Sequence, residues 1–134
     1  MSSGRVFVVQ QQHHWSEDEQ RLVPKFDLSP AREHGELVYL LSPSAGPWNL
    51  ESVTQEMMEK LRGYGDADSL LLVGNPCLIG IACVIAAAVN RGRWRMLQWS
   101  GKEGRYLVVS PDLGGSKTDP SRGTDQKLGP ERSG

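Results

Sequence analysis

Two adjacent histidines, His13 and His14, followed closely by Glu17, Asp18 and Glu19, are the first side chains in this sequence that could hold a metal ion. A metal needs several ligands converging on one point, and neighbouring histidines in a regular element diverge. No cysteine or further histidine follows at ligand spacing, so the segment reads as an acidic, solvated loop and no metal is assigned. Asp27, Glu33, His34 and Glu36, around the tripeptide SPA, place carboxylates near an imidazole, which is the composition of an acid–base pair. Neither a nucleophile elbow nor a paired-carboxylate signature accompanies them. No catalytic residue is assigned, and the balance is against an enzyme.

A third group is the turn Gly74, Asn75 and Pro76 in LLLVGNP. A strand entering a helix through a glycine-containing turn directs backbone N–H groups and the positive helix end outward, as in many phosphate sites. These three residues are therefore a candidate ligand turn. The chain has neither GxGxxG nor GxxxxGK[ST], the proline removes one N–H, and no lysine is placed to meet a phosphate. Simple capping of the helix accounts for the same residues, and no cofactor is expected. The fourth group, Arg91, Arg93, Trp94, Arg95, Trp99, Lys102, Arg105 and Tyr106, is basic and aromatic. Strand alternation would set Arg93, Arg95, Leu97 and Trp99 on one face. Arg93, Arg95, Trp99, Lys102, Arg105 and Tyr106 then form a candidate nucleic-acid face, with cations for phosphates and rings for bases. The competing account is a solvated sheet edge whose arginines prevent pairing with another sheet.

The elements that must position these groups follow from hydrophobic pattern. Leu70 to Val89 is apolar almost throughout, enough residues for a bilayer span. A span must be one unbroken helix, because lipid offers no partner to a free backbone group. Gly74, Asn75 and Pro76 interrupt the stretch in the order that begins a helix: a tight turn, a cap, and a first helical position where a missing N–H costs nothing. The pattern predicts a buried strand over Ser69–Val73, then a helix from about Pro76 to Asn90. At roughly fourteen residues, or about 21 Å, that helix is too short to cross the hydrocarbon core, and no membrane association is expected.

Elsewhere, Arg5–Gln10 (RVFVVQ) and Glu36–Leu41 (ELVYLL) are β-type runs. Between them, RLVPKFDLSP is a hairpin arm or loop, with Pro24 restricting any strand to an edge and Pro30 marking a turn or helical start. Glu51–Arg62 repeats Val53, Met57 and Leu61 at helical spacing, with Asn49 as its cap and Gly63 or Gly65 as its stop. Arg93–Trp99 and Arg105–Val109 form a C-terminal β-hairpin about the turn GKEG. Strands alternating with helices predict an α/β fold, a small two-layer or three-layer sandwich. Its mixed sheet has a parallel βαβαβ centre over about residues 36–99, with antiparallel strands at the edges. The small residues of the second helix, Gly80, Ala82, Ala86, Ala87 and Ala88, would pack closely on that sheet.

With 134 residues, 38% hydrophobic content and a net charge of -1, the composition is that of one ordinary globular domain. Residues 1–110 are expected to form it, and 111–134, rich in Gly, Ser, Pro, Asp and Lys, to be a disordered polar tail. MSSGRVFVVQQQ carries no export signal, so a cytoplasmic location is expected. Cys77 and Cys83 fall on different sides of the second helix, too far apart to bridge, and read as buried reduced thiols.

The segments LVPKFDLSPAREHGELVYLLSP and LLLVGNPCLIGIACVIAAAVNRGRWRMLQWSGKEGRY together resemble a group of small proteins encoded by tailed bacteriophages and prophages. That group shares an FDLSPA-then-GEL stretch and a later strand–GNP–helix–NxGR–strand pattern. The resemblance covers roughly residues 5–109, leaves out HHWSEDE and the tail, and transfers no catalytic role to any residue. It implies a phage accessory protein in the bacterial host cytoplasm. Together with the absence of catalytic signatures, it leads to the expectation of a protein that works by binding, with a host or phage protein as partner. The alternative is nucleotide or nucleic-acid binding, through the GNP turn or the basic-aromatic hairpin.

Overall fold

Val6, Phe7, Val8 and Val9 are four consecutive buried residues, which a strand achieves only when both faces of its sheet are covered. The computed structural model describes residues 4–114 and shows how. The strand they form, β1 (Arg5–Gln10), lies inside a five-stranded sheet with β4 (Glu36–Leu41), β5 (Ser69–Leu71), β6 (Met96–Ser100) and β7 (Arg105–Val109). The order across the sheet is β4-β1-β5-β6-β7. β1 is parallel to both β4 and β5, β5 is parallel to β6, and β7 returns antiparallel. Two helices, α1 (Leu50–Lys60) and α2 (Pro76–Val89), complete the parallel βαβαβ run expected between residues 36 and 99. β1, given no place in the sheet by the sequence pattern, inserts between β4 and β5 and moves β4 to the edge.

Parallel crossovers are right-handed, so a connection stepping one way along the sheet must lie on the opposite face from one stepping back. The step from β1 out to β4 carries a 3₁₀ turn (Ser29–His34), whose Leu28 and Ala31 pack with Val6, Val8, Leu71, Leu97 and Tyr106. The return steps carry α1 and α2, which pack Val53, Met57, Leu61, Leu78, Ala82 and Ala86 against Phe7, Val9, Leu40 and Leu70. The result is three layers, one of them thin. Asp68 joins the other end of β1 to the loop before β5, accepting from the Arg5 backbone N–H at 2.8 Å and pairing with its guanidinium at 3.2 Å.

Local signals are met at some positions and displaced at others. Asn75 caps α2 as expected: its Oδ1 accepts from the N–H groups of Cys77 at 2.8 Å and Leu78 at 3.4 Å. Asn49 makes no such bond, because Pro47–Asn49 enters α1 as a 3₁₀ turn, and α1 ends at Lys60, before either glycine. HHWS and RLVP pair as an arm, β2 (His13–Ser16) with β3 (Arg21–Pro24), so both histidines stand in a strand rather than in a loop. Cys77 is exposed and Cys83 half-buried, both free, which corrects the expectation of two buried thiols. Gly80 also departs from expectation. The buried stripe of α2 runs through Leu78, Ala82 and Ala86; Gly80 lies about 200° around from Leu78, and nothing comes within 4 Å of the space a Cβ would occupy there.

The chain just after β7 returns to the segment that follows α2. Leu113 donates its N–H to the Gly92 carbonyl at 2.8 Å, and Asp112 bridges to Arg93. Residues 115–134, the remainder of the expected tail, lie outside the described residues. Among the described residues no helix is long and apolar enough to cross a membrane.

Candidate functional site

In parallel α/β sheets a ligand binds beyond the carboxyl ends of the strands, where successive crossovers leave for opposite faces. Here that point lies between β1 and β5, at Gln10 and the Gly74–Asn75–Pro76 turn. The Gln10 side chain is buried and bonded on both its ends. Nε2 donates to the carbonyls of Ala45 at 2.7 Å, Ser42 at 3.1 Å and Pro43 at 3.3 Å, while Oε1 accepts from the Asn75 N–H at 3.0 Å. Gly74 has φ +129°, and a Cβ there would stand 2.7 Å from the Gln10 Cβ. The turn therefore closes onto Gln10, and Asn75 takes up the first N–H groups of α2. Gln10 carried a signal of its own in the sequence: it is the amide that follows the four apolar residues Val6–Val9 at the end of β1.

The basic-aromatic group divides into two. Arg93 and Arg95 do not belong to β6, which begins at Met96, because the chain before it is held by bonds to side chains. Tyr64 Oη accepts from the Arg95 N–H at 2.9 Å, and Asn90 Nδ2 donates to the Arg93 carbonyl at 2.9 Å. Both guanidinium groups turn to Asp66. Arg93 pairs with its carboxylate at 3.2 Å, and Arg95 donates to its carbonyl at 3.0 Å. The Asn90 amide, followed by Arg93, holds the Asp66 carboxyl below the usual range. The alternation expected from Arg93 to Trp99 thus fails, and the face Trp99 shares with Leu97 is the core side of the sheet.

At the far end of the hairpin, Trp99 stands edge-on to Tyr106 with ring centroids 5.0 Å apart. Arg105 pairs with Glu33 at 3.0 Å. Lys102 is exposed in the turn between β6 and β7. His34 lies in the same cluster: its Nε2 is 3.0 Å from the Tyr106 carbonyl and 3.3 Å from Glu33. Of the four acid–base candidates, this brings together Glu33 and His34, as a tether between β7 and the 3₁₀ turn. Asp27 instead accepts from the Ser29 N–H at 3.0 Å, and that bond lowers its pKa. Among the described residues no group of three His, Cys, Asp or Glu side chains could hold a metal ion.

One surface had no counterpart in the sequence pattern. The β2–β3 arm sets Trp15 opposite Leu22 as a cross-strand pair, and the two are 51% and 61% exposed. Phe26, at the base of the arm, is also exposed, with the Lys25 ammonium 5.5 Å over its ring. Glu17, Asp18 and Glu19 occupy the tip. Finding this patch required the pairing register, which short segments with neither long apolar runs nor clean alternation do not reveal.

No curated protein and no solved structure matches the chain. A family model does match, over residues 4–113, a span that takes in both the arm and the docked segment after β7. With the sheet, both helices and the GNP turn all inside that span, the chain belongs to the Phage Pam3 gp32-like protein family.

Proposed function

We propose that this phage protein is an accessory factor of the host cytoplasm that acts by binding another protein, of phage or host, through the β2–β3 arm. The observation that carries the proposal is the exposed Trp15–Leu22 pair. An isolated two-stranded arm is marginal on its own and leaves its largest apolar side chains in water; tryptophan is enriched among the residues that anchor protein interfaces. The acidic tip favours a partner with basic residues around its contact. Nucleic-acid binding is supported less well, because Arg93 and Arg105 already face carboxylates within the chain. No catalytic residue and no cofactor enters this proposal.

The test is affinity purification of the full chain from infected cells, comparing the parent with a Trp15→Ser/Leu22→Ser variant, with mass spectrometry and nucleic-acid extraction of each eluate. A protein that co-purifies in stoichiometric amount with the parent and is lost from the variant is the expected result. A partner retained by the variant, or an eluate holding only nucleic acid released by salt, overturns the proposal.

A further inference from the structure

α2 reads PCLIGIACVIAAAV and carries no charged side chain over its 14 residues. A helix apolar all round belongs in an interior. Yet its fully buried stripe runs through Leu78, Ala82 and Ala86, and the opposite side, Cys77, Gly80, Val84 and Ala88, faces solvent. Val84 is 70% exposed and Met58, on the adjoining helix, 56%. Between α1 and the C-terminal half of α2 runs an open groove of about 950 Å³ with an apolar floor of Met58, Val84, Ile85, Ala88 and Val89.

The α1 wall of the groove is polar, and its charges are ordered. Glu51 stands in the first turn of α1 and Arg62 just past its last residue, Lys60, at the other end of the groove. Two-fold contacts are self-complementary, so whatever one copy presents at one end must suit what it presents at the other. In an antiparallel pairing of two α1 helices that sets Glu51 against the partner's Arg62, the same register sets Glu59 against the partner's Thr54 hydroxyl. It sets Gln55 against the partner's Met58 as well. Every charged group on the wall thus meets an opposite charge or a hydrogen-bond donor, while the uncharged floor is covered. We propose that the α1–α2 groove is the interface of a two-fold dimer of this chain. The dimer is independent of the arm, which lies on β2 and β3.

Sedimentation velocity of the full chain across a concentration series tests it. The parent is expected to be a dimer and Val84→Glu a monomer, the substitution lying at an exposed helical position where glutamate does not harm folding. Glu51→Arg and Arg62→Glu, each placing like charges together, should weaken association about tenfold. Combined in one chain they should restore it. A parent that stays monomeric at all concentrations overturns the proposal, leaving the groove to another protein. A dimer unaffected by Val84→Glu, or a double variant no tighter than the single ones, overturns it equally.

Discussion

The two sides of α2 have nearly the same composition and opposite surroundings. Leu78, Ala82 and Ala86 are wholly buried against the sheet, whereas Gly80, Val84 and Ala88 are exposed. The inner side is close-packed, so added volume there must displace a neighbour. The outer side has room. Hydrophobicity alone marks both as interior; only the phase of the helix against the sheet separates a core surface from a surface awaiting a second molecule.

Substitutions sharpen that contrast. Ala86→Leu should overpack the inner side and lower stability by about 1–3 kcal/mol, seen as a drop in Tm of several degrees; an unchanged melt would mean that Ala86 does not face the sheet. Asn75→Ala, which removes the cap from the first N–H groups of α2, should cost about 1 kcal/mol. A cost near zero would return the GNP turn to consideration as a ligand site with N–H groups to offer. Gly80→Leu, the same side chain as in the first variant placed on the outer side, should leave the melt unchanged or raise stability by up to about 1 kcal/mol through helix propensity. Destabilisation there would show that the outer side packs against the chain itself.

An effect confined to alkaline pH comes from Tyr64, which belongs to the inner cluster and donates to the Arg95 carbonyl. Burial pushes its pKa up to about 12 from 10.0. The folded state holds the neutral phenol, so the stability tied to it is fully present below pH 10 and is lost as pH rises through about 12. Urea titrations of the parent should show stability falling across that alkaline window, and Tyr64→Phe should flatten the fall. A slope unchanged by the substitution would assign it to other groups.

How much of this was legible in the sequence depends on the range of the interactions. α2, its cap and the strand before it were readable because glycine, asparagine and proline act within a few residues of themselves. β1 was readable as a strand from four consecutive apolar residues, but its place between β4 and β5 was not, because pairing order depends on contacts distant in the chain. The Arg93–Arg95 segment was misread because its alternation imitates a strand, while the partners that hold it, Tyr64 and Asp66, lie in the loop after α1. Gly80 was misplaced by composition although the spacing of Leu78, Ala82 and Ala86 already excluded it from the inner stripe. Of the candidate sites, the GNP turn was found at its expected place, but its closure by Gln10 depends on a contact between residues 10 and 75. The arm needed a pairing that no short-range pattern specifies.

The most direct measurement of what covers the outer side of α2 is hydroxyl-radical footprinting of the full chain at increasing protein concentration, read by mass spectrometry at single residues. Met58 lies in the groove and Trp48, more exposed still, lies outside it. Dimerisation through the groove predicts that oxidation of Met58 falls as concentration rises while that of Trp48 stays constant. A Met58 reactivity that holds level with Trp48 across the whole series would contradict it.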